Sequence, residues 1–237
     1  MANLDLEEQE QLDQIKHLWK KYGNLVSWAL IVVLGSFAAW NGYQYWQRSQ
    51  ATQAAAMFDE LDRIARTGDI SKVERAFADM KDKYAGTAYA QQSGLLVAKL
   101  YHDAGKIDAA KASLAWVAEK AADEGYQAIA KLRLAGILAE AKAYPEALAQ
   151  LAGSFPTEFA PLVADRRADI FTLQGKTAEA KTEYEKAYKG FDERTDYRRL
   201  VEIKLNALGV NPRPAEVLAA TAQSAAASGT AVPEAAK

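Results

Sequence analysis

At 237 residues, half of them hydrophobic, the chain has room for one sizeable domain and one further element. It holds no cysteine, which excludes disulfides, thiolate metal sites, a cysteine nucleophile and an acylated-cysteine lipoprotein anchor. The absence suits an oxidising compartment, where free thiols are a liability. Net charge is −2, and residues 48–237 carry 26 basic and 26 acidic side chains, so the basic excess of a nucleic-acid-binding domain is missing.

Residues 1–21 form a polar leader with Asp5, Glu7, Glu8, Glu10 and Asp13 near its start and Lys16, Lys20 and Lys21 near its end. Leu12, Ile15, Leu18, Trp19 and Tyr22 share one face at helical spacing. The leader is therefore either a helix resting on a membrane surface or a disordered tail whose last turn joins the next element.

Residues 22–47 contain no charge. Their centre, Leu25 to Tyr45, is long enough as a helix to cross the roughly 30 Å hydrocarbon layer. Trp19, Tyr22 and Trp28 mark one end, and Trp40, Tyr43, Tyr45 and Trp46 the other, as amphipathic rings do at the headgroup level. The competing readings are a buried core helix and a cleaved signal peptide with its site near Ser36-Phe37-Ala38. The long acidic leader is unlike the short basic start of a signal peptide, so an uncleaved signal anchor is expected. Three lysines before the span against Arg48 alone just after it put the N-terminus in the cytoplasm and the bulk of the chain on the far side.

From 51 to 208 apolar residues recur every three or four positions, the period of amphipathic helices, and no period-two strand stands out. Glycines at 68, 86, 105, 125, 153 and 175 mark the breaks. A pattern recurs: Ala98, Tyr101, Gly105, Ile107, Ala110, Leu114; Ala135, Leu138, Lys142, Tyr144, Ala147, Leu151; Ala168, Phe171, Gly175, Thr177, Ala180, Tyr184. A fainter copy has Leu61, Ile64, Gly68, Ile70, Val73 and Phe77. Anchors at 73, 110, 147 and 180 lie 37, 37 and 33 residues apart, close to the tetratricopeptide unit of paired antiparallel helices. The small residues would let the two helices of a pair approach closely, and the large ones would fill the space between them. The alternative is a non-repetitive helical bundle. The expected fold is all-α: a single transmembrane helix, then a tetratricopeptide-like solenoid. Beyond 208, Asn211-Pro212-Arg213-Pro214 would stop a helix, and the alanine-, serine- and threonine-rich remainder, 209–237, reads as a disordered tail.

No catalytic constellation emerges. His17 lies in the leader, and His102 stands beside Asp103, a neighbour that points elsewhere on a helix. Asp123-Glu124 and Asp192-Glu193 read as solvated charge, and there is no phosphate-cradling glycine loop, nucleophile elbow or zinc-protease motif. Neither a metal nor a cofactor is expected, and binding rather than catalysis is.

The acidic, glutamine-bearing leader, the run Lys16-His17-Leu18-Trp19-Lys20-Lys21-Tyr22-Gly23, a span ending Gly42-Tyr43-Gln44-Tyr45-Trp46, and degenerate repeats to 208 together resemble the bacterial YfgM family. The resemblance implies an ancillary subunit of the Sec translocon in the bacterial inner membrane. It implies a periplasmic repeat domain that helps pass exported clients to periplasmic chaperones, alongside a membrane-anchored prolyl-isomerase-like partner. The other function class is a tethered scaffold or receptor for another envelope or cytoplasmic complex.

In stacked helix pairs the first helices line the concave side. The register puts Phe58, Asp62, Arg66, Leu95, Lys99, His102, Asp103, Leu132, Glu140, Asp165, Asp169 and Leu173 there. This mixture suits permissive contact with chains, and lacks a basic cluster for gripping a C-terminal carboxylate. The other place for binding is the span itself, whose Gly35-Ser36 and Ala38-Ala39 offer a small-residue packing face.

Overall fold

The computed structural model describes residues 6–213, with side chains described from Lys16 onward except Leu18. The side chains of Leu12, Ile15 and Leu18, on which the surface-resting leader depends, lie outside the described residues, as does the expected tail from 214. The backbone of the leader is helical from Leu6, where α1 (Leu6–Thr67) begins. The described residues fall into two compact units, divided between Ala56 and Met57.

In the first unit the uncharged segment is helical throughout. Its large side chains face outwards: Leu25 is 69% exposed, Leu34 63% and Phe37 67%. Such exposure is what a hydrocarbon solvent stabilises and water penalises, so this is not the core helix of a soluble domain. The aromatic residues at both ends are exposed too. The amide of Asn41, a polar group within the span, donates to the Phe37 carbonyl at 2.9 Å, which satisfies one of its donors inside the helix.

The second unit contains the end of α1, then α2 (Ile70–Tyr84), α3 (Ala88–Asp103), α4 (Ile107–Lys120), α5 (Glu124–Glu140), α6 (Tyr144–Gln150), a 3-10 turn (Thr157–Phe159), α7 (Ala160–Leu173), α8 (Thr177–Gly190) and α9 (Asp196–Ala207). Side-chain oxygens cap the starts of α2, α3 and α5, while Thr195 before α9 makes no such bond. The Asp69, Thr87 and Asp123 side chains accept the amides of Lys72, Ala90 and Tyr126. The Lys72 ammonium and amide, with Ser71, hold the exposed Asp69 carboxyl down to about 2.

The first helix of each pair ends in the same way. Gly68, Gly105 and Gly175 have φ of 74°, 72° and 72°, and Lys142 at the matching place has 59°. In three of these turns the amide one residue later reaches back to the large apolar residue of the pattern. Lys106 bonds Tyr101, Ala143 bonds Leu138 and Lys176 bonds Phe171, at 2.8, 2.9 and 2.9 Å. This left-handed turn satisfies the last carbonyls and reverses the chain into the second helix. Gly209, with φ 79° and a Val210-to-Leu205 bond of 3.0 Å, gives α9 the same ending, which the sequence pattern had not marked as a copy.

Packing follows the aligned columns. Ala110, Ala147 and Ala180 are fully buried, as are Ala135 and Ala168, and Ala98 is 2% exposed. The core forms successive patches along the array: one from α1 to α5, one across α5 to α7 and one across α7 to α9. Each fully buried Leu or Val contributes about 1.5–3 kcal/mol of transfer free energy. At the far end α9 carries Arg198 and Glu202 where α7 carries Ala164 and Ala168 against its second helix. These polar columns make α9 a cap rather than the start of another apolar pair.

The third pair departs from the period. Helices α2, α4 and α8 have 15, 14 and 14 residues, but α6 has 7. The chain leaves α6 through Gly153 and Ser154 and enters α7 by way of Pro156 and the 3-10 turn. The 33-residue step between Ala147 and Ala180 has this physical cause.

Candidate functional site

The row expected to line the concave side lies ten, six and two residues before each turn of the first helices. In α1 it holds Phe58, Asp62 and Arg66, with Arg66 and Asp62 paired at 2.8 Å and the Phe58 ring 6.0 Å from that of Tyr89. In α3, Lys99 pairs with Asp103 one turn on. Next to them His102 Nε2 lies 3.0 Å from Glu140 Oε2 of α5, a contact that ties one pair to the next. These are exposed or half-exposed ion pairs, screened by solvent and readily exchanged.

Two of the twelve expected residues are not on a surface. Leu95 is 8% exposed and belongs to the core patch between α1 and α5. Asp165 is 2% exposed, because α9 covers it. Lys204 donates to both Asp165 oxygens at 2.8 and 2.9 Å, and Tyr197 donates its hydroxyl to Oδ2 at 2.8 Å. Asp169 joins the same network, accepting from Lys204 at 2.7 Å and from the Tyr184 hydroxyl at 2.6 Å. Burial and then the facing carboxylates push both phenols well above the usual tyrosine range. A single-helix register could not reveal this, since the cover comes from α9.

Leu132 is half-buried against the patch spanning α5 to α7. Leu173 is 58% exposed. It lines a cleft of ≈ 360 Å³ with Gly136, Glu140, Arg166 and Asp169, so three expected residues meet in one concavity between α5 and α7. Gly136 and Arg166 were not anticipated. Gly136 occupies the six-before-turn place, and a Cβ there would lie in ordinary contact with the Arg166 guanidinium, 3.7 Å away. On α9 the corresponding place is Ile203, 58% exposed, with Leu200 43% exposed nearby in sequence. A scan of that row into α9 would have found it, had the Gly209 turn been recognised. Among the described residues no group of three or more His, Asp or Glu side chains is placed to hold a metal ion. The geometry supplies apolar contact and exchangeable ion pairs, not an acid–base pair at a reacting atom.

Comparison with known proteins follows this architecture. Residues 16–210 match the family described as a tetratricopeptide repeat-like domain. A protein of Neisseria gonorrhoeae described as an ancillary SecYEG translocon subunit is 30% identical over 204 residues, covering 86% of this chain and 98% of that protein. Proteins of the same description from Haemophilus influenzae and Escherichia coli are 27% and 23% identical, each over 86% of this chain and 98% and 97% of their own lengths. Among solved structures, BtubC (BKLC) from P. vanneervenii aligns over 81% of this chain and 95% of its own, with TM-score 0.50 and 17% identity, a likeness of fold alone.

Proposed function

The chain belongs to the tetratricopeptide repeat-like family of ancillary SecYEG translocon subunits, and from that premise we propose that its concave face receives exported polypeptides beside the translocon and hands them to periplasmic chaperones. As such a subunit it associates with the Sec translocon, crosses the inner membrane once, exposes its repeat array to the periplasm, and is not an enzyme. The hand-off and its partners, a membrane-anchored prolyl-isomerase-like protein among them, are the finer part of the proposal. Exported clients are unfolded as they emerge, and a surface for them must accept many sequences weakly.

The observation that supports this reading is the open cleft between α5 and α7. Leu173 offers apolar area there beside Glu140, Arg166 and Asp169, so either sign of charge on a passing chain finds a counterpart. The competing location is the small-residue face of the span, where nothing lies within 4 Å of a Cβ built on Gly35 or Gly42.

The two are separable. Full-length protein carrying Leu173→Ala and Lys99→Glu is compared with a version whose span is replaced by an unrelated one. Co-purification from membranes scores translocon and chaperone partners separately. We expect the concave variant to keep the translocon and lose the chaperones and clients. Unchanged chaperone recovery by the folded concave variant, with loss on span replacement, would place partner binding in the membrane.

A further inference from the structure

The short α6 leaves a gap in the outer layer of second helices. In the second and fourth pairs that layer is built by helices of 14 residues, but α6 stops after 7. The chain that follows fills only part of the missing turns. Between it, the start of α7 and the end of α8 remains a cleft of ≈ 350 Å³. Its lining is mostly apolar, with Leu151, Phe155 and Val163 among the larger side chains. It lies on other faces than the concave row, whose residues do not line it.

The charges around it are mainly positive. Arg167 and Lys186 stand at the wall, and Lys131 lies 5.4 Å from the centre of the Phe155 ring. Arg167 donates to the Leu151 carbonyl, which neutralises no charge. Lys186 is balanced by Glu183, the one carboxylate of the lining.

We propose that this cleft is a second docking site, which receives an amphipathic helical segment of a partner protein, apolar on the inserted face and carboxylate-bearing at its flanks. A helix suits the place because helical turns fill it elsewhere in the array, and α7 already presents there the face that second helices pack on. The apolar lining gives the affinity, and the flanking carboxylates answer the excess of cations around the mouth. The site is independent of the concave groove, so a partner held here could remain bound while a client occupies the other face.

The test uses the full-length chain in detergent and fluorescence anisotropy with two synthetic amphipathic peptides. One has a leucine face flanked by glutamates, and the other is its lysine-flanked counterpart. Ala160→Trp fills the mouth from an exposed position at the start of α7. It should weaken the glutamate peptide by about tenfold or more, with melting unchanged. Lys186→Glu should weaken the glutamate peptide and strengthen the lysine peptide, a swap that a merely unfolded variant would not give. Leu173→Ala should change neither affinity. The proposal is overturned if the glutamate peptide fails to bind, if only Leu173→Ala affects it, or if the charge swap is absent. It is equally overturned if ending the chain at Arg213 raises peptide affinity, because the cleft would then belong to the chain's own C-terminal segment.

Discussion

Two residues show how finely the helix pairs are fitted. Lys142 sits at φ 59°, in a turn where three other copies use glycine. A side chain there costs about 1 kcal/mol, since Cβ crowds the following carbonyl in the left-handed region. Lys142→Gly should therefore raise stability by about 0.5–1 kcal/mol, read as a higher urea midpoint at constant slope. A lowered midpoint would mean that Lys142 contributes something beyond the turn. Gly94 shows the opposite constraint. A Cβ there would lie 2.4 Å from Val117 Cγ2, so the Val117 side chain of α4 packs on the α3 backbone in the space a larger residue would need. Gly94→Ala should destabilise by about 1–3 kcal/mol through overpacking, and adding Val117→Ala should recover part of the loss in the same melt. The small-residue columns were legible in the sequence because they repeat. Gly94 was not, because it occurs in one pair only.

At the scale of elements, α9 is held by a polar network as much as by Val201 and Leu205. Lys204 bridges Asp165 and Asp169, Arg166 lies 3.8 Å from Asp169, and two tyrosine hydroxyls complete their shells. Lys204→Met would leave Asp165 ionised and buried without its cation, a loss of about 3–5 kcal/mol in thermal or urea unfolding. The tyrosines add a pH dependence of definite sign. Their folded pKa values are raised, so the stability they contribute is present below about pH 10 and is lost as pH rises from there towards the folded values. Urea midpoints taken above pH 10 should fall for the native chain, and less steeply for Tyr197→Phe. An equal slope in the two proteins would detach Tyr197 from the effect. None of this was readable from α7 alone, where Asp165 and Asp169 look like ordinary polar positions of a groove. Tyr197 and Lys204 are 32 to 39 residues away and meet them only when α9 folds back.

The molecule as a whole combines an anchor and an array. The uncharged helix with its outward-facing leucines and tryptophans needs a bilayer as solvent, and Lys16, Lys20 and Lys21 set its direction. Protease added to spheroplasts should accordingly degrade the chain beyond Arg48. Full protection of that part, with the outer membrane removed, would reverse the orientation. The membrane segment, the helical class, the repeat register and the buried alanines follow from the sequence by itself, because each rests on a local period or on a run of one solvent preference. Only the tertiary structure decided which residues of the first-helix row remain a surface. Leu95 lies in the core, Asp165 lies beneath α9, and Leu173, Glu140 and Asp169 share a cleft with Arg166 and Gly136. It also decided that α6 stops short and leaves a second cleft. Burial and concavity depend on what neighbouring pairs place against a residue. Those neighbours are fixed by the stacking of distant segments, for which a helical period carries no term.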